Sequence, residues 1–233
     1  MASPHYDLLI KRHSAATPWT YRLLDQAQRR RFELLQSSQA SQASATLGAV
    51  FLSELAPVIT VGRRECSQDL LLPEEALRAQ GVELYPTDRG GRATYHGPGQ
   101  WVVFVVDHLE RLTGDRRGVR KAVEALLELA CEVGRSFLGS AVEIRSGDQT
   151  GVWTPRGKLA SVGVQIDRGV LLHGLAINGF KTPQSFLGIR PCGLDAQVDF
   201  LLDSTRPEQA SREFEGIPSK LIQGIESRFW VSR

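Results

Sequence analysis

Cys192 stands in Arg190-Pro191-Cys192-Gly193, where proline and glycine mark a loop in place of a packed helix face. A loop thiol is accessible, and access together with a lowered pKa is what a cysteine needs to act as a nucleophile. Taken alone, a single loop cysteine is more often a bystander. Lys158, in Gly157-Lys158-Leu159-Ala160-Ser161-Val162-Gly163, opens a run with strand character. A lysine there is solvated by default, yet a partly desolvated ammonium either loses its proton near neutral pH or persists as the counter-charge that stabilises a thiolate. The third feature is Asp88-Arg89-Gly90-Gly91-Arg92-Ala93-Thr94-Tyr95-His96-Gly97-Pro98-Gly99-Gln100. Its four glycines and one proline disfavour a helix or a central strand, so it reads as a shaped loop. Its polar residues suit a site where backbone approaches a ligand and side chains orient it, whereas ordinary hairpin connections run only about 2–5 residues. Finally, His173 alternates with apolar residues in His173-Gly174-Leu175-Ala176-Ile177-Asn178, which by itself describes a satisfied core histidine more often than a catalyst.

Strands must position these groups. Residues 101–106, Trp-Val-Val-Phe-Val-Val, form a continuous β-branched and aromatic strand buried on both faces, and it anchors the glycine-rich loop. Residues 158–166 and 170–178 read as a hairpin joined through Asp167-Arg168-Gly169. Further strands are expected at 6–12, an edge strand, at 47–52 and 58–61, divided by Ala56-Pro57, and at 82–85, around Val142 and Ile144, and at 151–153. The strand at 58–61 ends in Gly62-Arg63-Arg64, an arginine pair that suits an acidic ligand as well as it suits a solvated loop.

Helices complete the frame. One follows Pro18 and Trp19, with Leu24, Ala27, Leu34 and Leu35 on its apolar face and Arg29, Arg30 and Arg31 on a solvated one. A short helix at 73–80 starts at proline and stops at Gly81. Val119, Ala122, Val123, Leu126, Leu127, Ala130 and Val133 recur at three and four residues and give the clearest amphipathic helix, over about 117–138, with Cys131 as a buried packing residue. At its front Arg116, Arg117, Arg120 and Lys121 either meet an acidic partner protein or form solvated surface. The tail holds a helix from about Ser219, with Leu221, Ile222, Ile225 and Phe229 on one face, separated by Gly216 and Pro218 from a Glu/Arg-rich segment. The Ser/Gln/Ala stretch at 36–46 has no apolar periodicity and is expected to be a flexible loop.

With 233 residues and a formal net charge of +2, the chain has none of the strong basicity of a dedicated nucleic-acid binder. Cys66, Cys131 and Cys192 are odd in number and lack metal-type spacing, so neither a disulfide framework nor a metal site is expected, and a reducing compartment fits. No run of about 18 apolar residues occurs and the start lacks the apolar core of a secretory signal. The expectation is a cytoplasmic protein without membrane contact, the mildly basic start leaving a mitochondrial matrix location open.

The pattern Arg-Gly-Gly-x-x-Thr-Tyr-His-Gly-Pro-Gly-Gln, from Arg89 to Gln100, resembles the signature of the lipoyl/octanoyl transferases, which move an octanoyl group from acyl carrier protein to a lysine of a lipoyl domain. Gly-Lys-x-Ala-Ser-x-Gly at 157–163 is similar to their second motif, His-Gly-x-Ala-x-Asn at 173–178 to their third, and Pro191-Cys192-Gly193 to the segment of their nucleophile. The resemblance covers about residues 57–193. It implies an α+β fold of the biotin/lipoate protein ligase type, a mixed sheet flanked by helices with a small second sheet, and one catalytic domain over residues 1–233. It further implies Cys192 and Lys158 as the catalytic pair, and a substrate-binding set of Arg89, Gly90, Gly91, Thr94, Tyr95, His96, Gly97, Gln100, Ser161, Val162, Gly163, His173, Gly174, Ala176 and Asn178. His96 and His173 are expected to line the pocket or orient groups in it. No cofactor is required, because thioester to thioester is nearly balanced and thioester to amide is downhill. The implied partners are octanoyl-acyl carrier protein as donor, and lipoyl domains of 2-oxoacid dehydrogenase complexes and the glycine cleavage H protein as acceptors, served by a monomer. An ATP-dependent lipoate or biotin ligase, a lipoyl-domain amidotransferase and a non-catalytic acyl-binding module are the alternatives. The chain departs from the family pattern at Glu54-Leu55-Ala56-Pro57 and at Val198-Asp199-Phe200.

Overall fold

The computed structural model describes residues 6–37, 47–190 and 197–230. In chain order the elements are β1 (Tyr6–Arg12), α1 (Tyr21–Gln36), β2 (Gly48–Glu54), β3 (Val58–Val61), α2 (Glu74–Ala79), β4 (Glu83–Pro86), β5 (Thr94–His96), β6 (Gln100–His108), α3 (Leu109–Thr113), α4 (Val119–Leu138), β7 (Glu143–Arg145), β8 (Gly151–Thr154), β9 (Gly157–Asp167), β10 (Val170–Asn178) and α5 (Pro207–Glu226). Seven strands form a sheet of order β1-β2-β6-β10-β9-β8-β7, and three form a second sheet of order β4-β3-β5. In the large sheet β1 runs parallel to β2 and the remaining neighbours are antiparallel.

The central strands are apolar without interruption because both faces are covered. Trp101, Val103 and Val105 of β6 pack toward α4 and α5, while Val102, Phe104 and Val106 pack toward α1. A third cluster, including Ile59, Leu77, Val82, Ala93 and Tyr95, forms the core of the small sheet. The expected hairpin is β9–β10, and the doubly buried strand is β6.

Three sequence expectations change. Inside the glycine-rich stretch, Thr94–His96 form β5, a strand of the small sheet, because β3 offers them an antiparallel edge. On α1, Leu34 is 54 % exposed, and the buried stripe runs instead through Tyr21, Leu24, Asp25, Gln28, Phe32 and Leu35. The two polar residues of that stripe are buried because they bond to residues of the site.

The tail helix is the third change: α5 starts at Pro207 and passes through Gly216 and Pro218 without a break. Gly216 lies on the solvent face, where glycine costs a helix only about 1 kcal/mol relative to alanine. Pro218 has no N–H to give to the carbonyl four residues earlier, that of Phe214. The Trp101 indole donates to that carbonyl at 3.2 Å and stacks on the Phe214 ring, 5.2 Å between centroids. Trp101→Phe is expected to leave the buried carbonyl without a partner and to lower stability by about 1–3 kcal/mol. A urea titration checks this through a lower midpoint at unchanged slope.

Candidate active site

The glycine-rich loop is pinned from two sides. Gly62, Arg63 and Arg64 donate their backbone N–H groups to the carbonyls of Arg92, Arg89 and Gly91 at 3.3, 3.0 and 3.1 Å. From the other side Gly90 N donates to Val164 O of β9 at 2.9 Å. Residue 62 must be glycine, since a Cβ would lie 2.4 Å from the Gly91 carbonyl oxygen. Arg89 folds back under the loop, its guanidinium donating to the Thr60 carbonyl at 2.7 Å, to Thr60 Oγ1 and to the Gly90 carbonyl. Its positive charge is thereby buried in the wall of the site.

Between this loop and the large sheet lies a cavity of about 360 Å³. Eleven residues of the implied catalytic and substrate-binding set line it: Arg89, Gly90, Gly91, Thr94, His96, Lys158, Ser161, Val162, Gly163, Gly174 and Ala176. Gly163 and Gly174 sit opposite one another in the β9–β10 ladder and make part of its lining bare backbone. A Cβ at 174 would meet Val103 O at 2.2 Å, and one at 163 would meet Gly90 O at 3.2 Å. Tyr95, Gly97, Gln100, His173 and Asn178 do not line the cavity. Cys192, with Pro191 and Gly193, lies outside the described residues, as does the 38–46 part of the expected flexible loop.

Gln100 and Asn178 act from behind the wall, and their hydrogen bonds fix the tautomer of His96. Asn178 Nδ2 donates to the Lys158 and Asp199 carbonyls at 3.2 and 3.1 Å, so its Oδ1 faces Gln100 Nε2, at 2.9 Å. Gln100 Nε2 also donates to the Tyr95 carbonyl, which turns Gln100 Oε1 toward His96 Nδ1 at 2.7 Å. His96 therefore carries its proton on Nδ1 and keeps an acceptor at Nε2. Burial, reinforced by the Arg89 charge, lowers its pKa to about 3 and keeps it neutral. Tyr95 lies in the core of the small sheet, where burial pushes its phenol up to about 12. Gly97 is needed because a Cβ would come 2.0 Å from the Tyr95 hydroxyl.

His173 has φ +62°, and the β10–β6 register skips it together with Leu172. Its N–H, turned out of that ladder, is taken by Gln28 Oε1 at 3.0 Å. Gln28 Nε2 then donates to Asp25 Oδ1 at 2.8 Å and faces His173 Nδ1 at 3.2 Å, where the Tyr21 hydroxyl also approaches at 3.2 Å. Nδ1 is the acceptor, so the proton sits on Nε2, and burial lowers this pKa to about 4. Tyr21 in turn stacks on His96, 5.8 Å between centroids, and lines the cavity with Phe104.

Lys158 is 5 % exposed. Its Nζ donates to the Thr150 carbonyl at 2.9 Å and lies 5.5 Å from the centre of the Trp153 ring. Gly151 makes room for the stem, since a Cβ there would lie 2.5 Å from Lys158 Cε. The Lys158 backbone donates to Gln197 O at 2.8 Å and accepts from Asp199 N at 2.9 Å, so the chain emerging from residues 191–196 pairs directly with the lysine's own strand position. At the other end Arg190 N donates to Asp69 O at 2.7 Å. Both departures from the family pattern have structural uses. Asp199 accepts from Thr154 Oγ1 and Arg156 Nε, and Glu54 accepts from Gly99 N and Arg12 Nε.

The sequence reading missed Tyr21, Phe104, Asp25 and Gln28. The available signal was two polar residues at core positions of an amphipathic helix. Cys66 and Cys131 are buried and burial pushes both thiols up, which suits inert packing residues. Three of the four basic residues before and in α4 are answered by carboxylates, Arg116 by Glu110 at 2.8 Å, Arg120 by Glu124 at 3.6 Å and Lys121 by Asp115 at 3.8 Å. Among the described residues no group of three or more His, Cys, Asp or Glu could hold a metal ion, and no helix is long and apolar enough to cross a membrane.

The sequence model of the "Lipoyl protein ligase A/B catalytic domain" family matches residues 29–216. An octanoyltransferase of Magnetococcus marinus is 34 % identical over 211 residues, 91 % of this chain and 90 % of that protein. An octanoyltransferase of Maridesulfovibrio salexigens is 36 % identical over 172 residues, 74 % of this chain and 78 % of that one. Among solved structures, a putative lipoate protein ligase from T. acidophilum superposes with a TM-score of 0.62 at 13 % identity, covering 96 % of this chain and 84 % of that one. Biotin protein ligase from Leishmania major with biotin gives 0.52 at 13 % identity, with 98 % and 74 % covered. At these identities the structural likeness establishes the α+β fold, a seven-stranded mixed sheet with a small three-stranded one.

Proposed function

Since the chain belongs to the lipoyl protein ligase A/B catalytic-domain family and groups with its octanoyltransferases, we propose that it moves octanoyl groups from acyl carrier protein to lipoyl-domain lysines through a thioester on Cys192. The Cys192 thiolate attacks the donor thioester carbonyl, the carrier thiolate leaves and takes up a proton, and the acyl group remains on Sγ. The ε-amine of the acceptor lysine then attacks the same carbonyl, loses a proton, and releases the Cys192 thiolate as the amide forms. Lys158 serves as the counter-charge of that thiolate, a role supported by two of its contacts, the Thr150 carbonyl and the Trp153 ring, both of which an ammonium favours.

The observation that carries this reading is the pairing of Lys158 with residues 197 and 199, which ties the cavity lysine to the segment that follows Cys192. The apolar lining from Val162, Leu175 and Ala176 suits an acyl chain, at about 0.8 kcal/mol per buried CH₂. One catalytic domain acting as a monomer in a reducing cytoplasm, where the thiol stays free, completes the proposal.

Intact-protein mass after mixing with octanoyl-acyl carrier protein tests it. The wild type and Cys131→Ser are expected to gain one hydroxylamine-labile octanoyl group, and Cys192→Ser none. Absence of the adduct from the wild type with a competent donor, or product formation that depends on ATP, overturns the acyl-enzyme route.

A further inference from the structure

The loop after β3 carries two charges for which acyl transfer at Lys158 has no use. The main chain of Gly62, Arg63 and Arg64 is held by three hydrogen bonds to the glycine-rich loop. Both arginine side chains are exposed and have no ion-pair or hydrogen-bond partner among the described residues. Their neighbours are committed. Arg92 forms a two-pronged pair with Asp69 at 2.7 and 2.9 Å, and Arg89 is buried against Thr60. Arg64 lines the same cavity as Lys158. An unanswered guanidinium on a fixed backbone, that of Arg64, thus stands in the wall of the reaction cavity, with the equally unanswered Arg63 next to it in the chain.

The geometry points to Arg63 and Arg64 as the site that receives the phosphate of the donor's phosphopantetheine-type arm. This rests on the octanoyl-transfer reading above. The acyl chain and the thioester are uncharged, so the phosphate is the one permanent anion on the small-molecule part of the donor. The planar guanidinium fork matches phosphate oxygens in two-pronged geometry, and charge-assisted bonds of this kind are the strong ones. The basic group at the front of α4 is a poorer candidate because three of its four members, Arg116, Arg120 and Lys121, face carboxylates and none of the four lines the cavity.

Octanoyl-phosphopantetheine and octanoyl-pantetheine differ only in that phosphate, and the rate of acyl-enzyme formation is read from each by mass. The wild type is expected to use the phosphorylated donor about tenfold more efficiently, as kcat/KM, or better. In Arg63→Gln/Arg64→Gln the advantage disappears, the two donors being used with equal efficiency because the phosphorylated one is slowed far more, and Arg120→Gln retains the advantage. Raising the salt concentration shrinks the wild-type advantage, since the arginines are exposed. Equal wild-type rates on the two donors overturn the assignment, as does equal slowing of both donors in the double variant. Slowing confined to octanoyl-acyl carrier protein overturns it too, in favour of an acidic protein surface as the partner. No adduct from either donor in the wild type removes the transfer reading and this inference together.

Discussion

Lys158→Met is expected to slow acyl-enzyme formation about 10²–10⁴-fold, the range that a positioned proton-handling or charge-stabilising side chain supplies. Methionine keeps the unbranched stem that fits beside Gly151 and removes the charge. The Thr150 carbonyl loses the Nζ donor in the exchange, so a stability loss of about 1–3 kcal/mol accompanies the change, and rates are to be compared at a temperature where both proteins are folded. Counter-charge and general base differ in a second readout, the alkylation of Cys192 by iodoacetamide as a function of pH. A neighbouring positive charge lowers a thiol's titration by about 1–3 units on the pH scale. The reactivity profile should therefore move up by that amount in Lys158→Met and stay low in Lys158→Arg, which keeps a charge that arginine cannot surrender. If Lys158→Arg loses low-pH reactivity as fully as Lys158→Met while its fold is intact, the lysine acts as a base and the counter-charge role is wrong.

What could be read in the sequence depended on how locally each feature is encoded. The run at 101–106 and the hairpin at 158–178 are written in consecutive residues, and they appear as β6, β9 and β10. The glycines at 90, 91, 163 and 174 announce close backbone approach, and all four line one cavity. The tail helix was misjudged at Pro218 because the compensation for its missing N–H comes from Trp101, more than a hundred residues away. No local pattern carries that bond. The same holds for Leu34 and Gln28: apolar periodicity favours leucine for the core, yet the buried stripe admits Gln28 because the twisted backbone at His173 presents an N–H that only a distant side chain can accept. Gln100 and Asn178 were named from motif resemblance as substrate-binding. Their hydrogen bonds run to His96, the Tyr95 and Lys158 carbonyls and each other, a set of distant contacts that the motif does not spell out.

Between pH 6.5 and pH 5 the protein is expected to lose roughly 3 kcal/mol of stability, about 1.6 kcal/mol from each of His96 and His173, since the unfolded rings are already half protonated at the upper limit. Both rings are neutral in the fold, with pKa values lowered from 6.5 to about 3 and about 4, chiefly by burial. In the unfolded chain each titrates near 6.5, so through this window the unfolded state binds more protons than the folded one and stability falls as pH falls. For His173 the loss is complete once pH drops through about 4, and for His96 through about 3. Asp107 works in the opposite direction, since burial raises its carboxyl and the folded state holds that proton more readily. Its pull is shared equally by all variants and cancels in their comparison. Gln100 Oε1 and Gln28 Nε2 meet their histidines at Nδ1, so the glutamine of His96→Gln or His173→Gln can present an amide nitrogen or oxygen to the same partner. Urea midpoints at pH 5, 6 and 7 are expected to converge in each variant, each losing about half of the wild-type slope against pH. A slope left unchanged by either substitution would mean that the histidine concerned is already charged in the fold, and the tautomers assigned from its hydrogen bonds would be wrong.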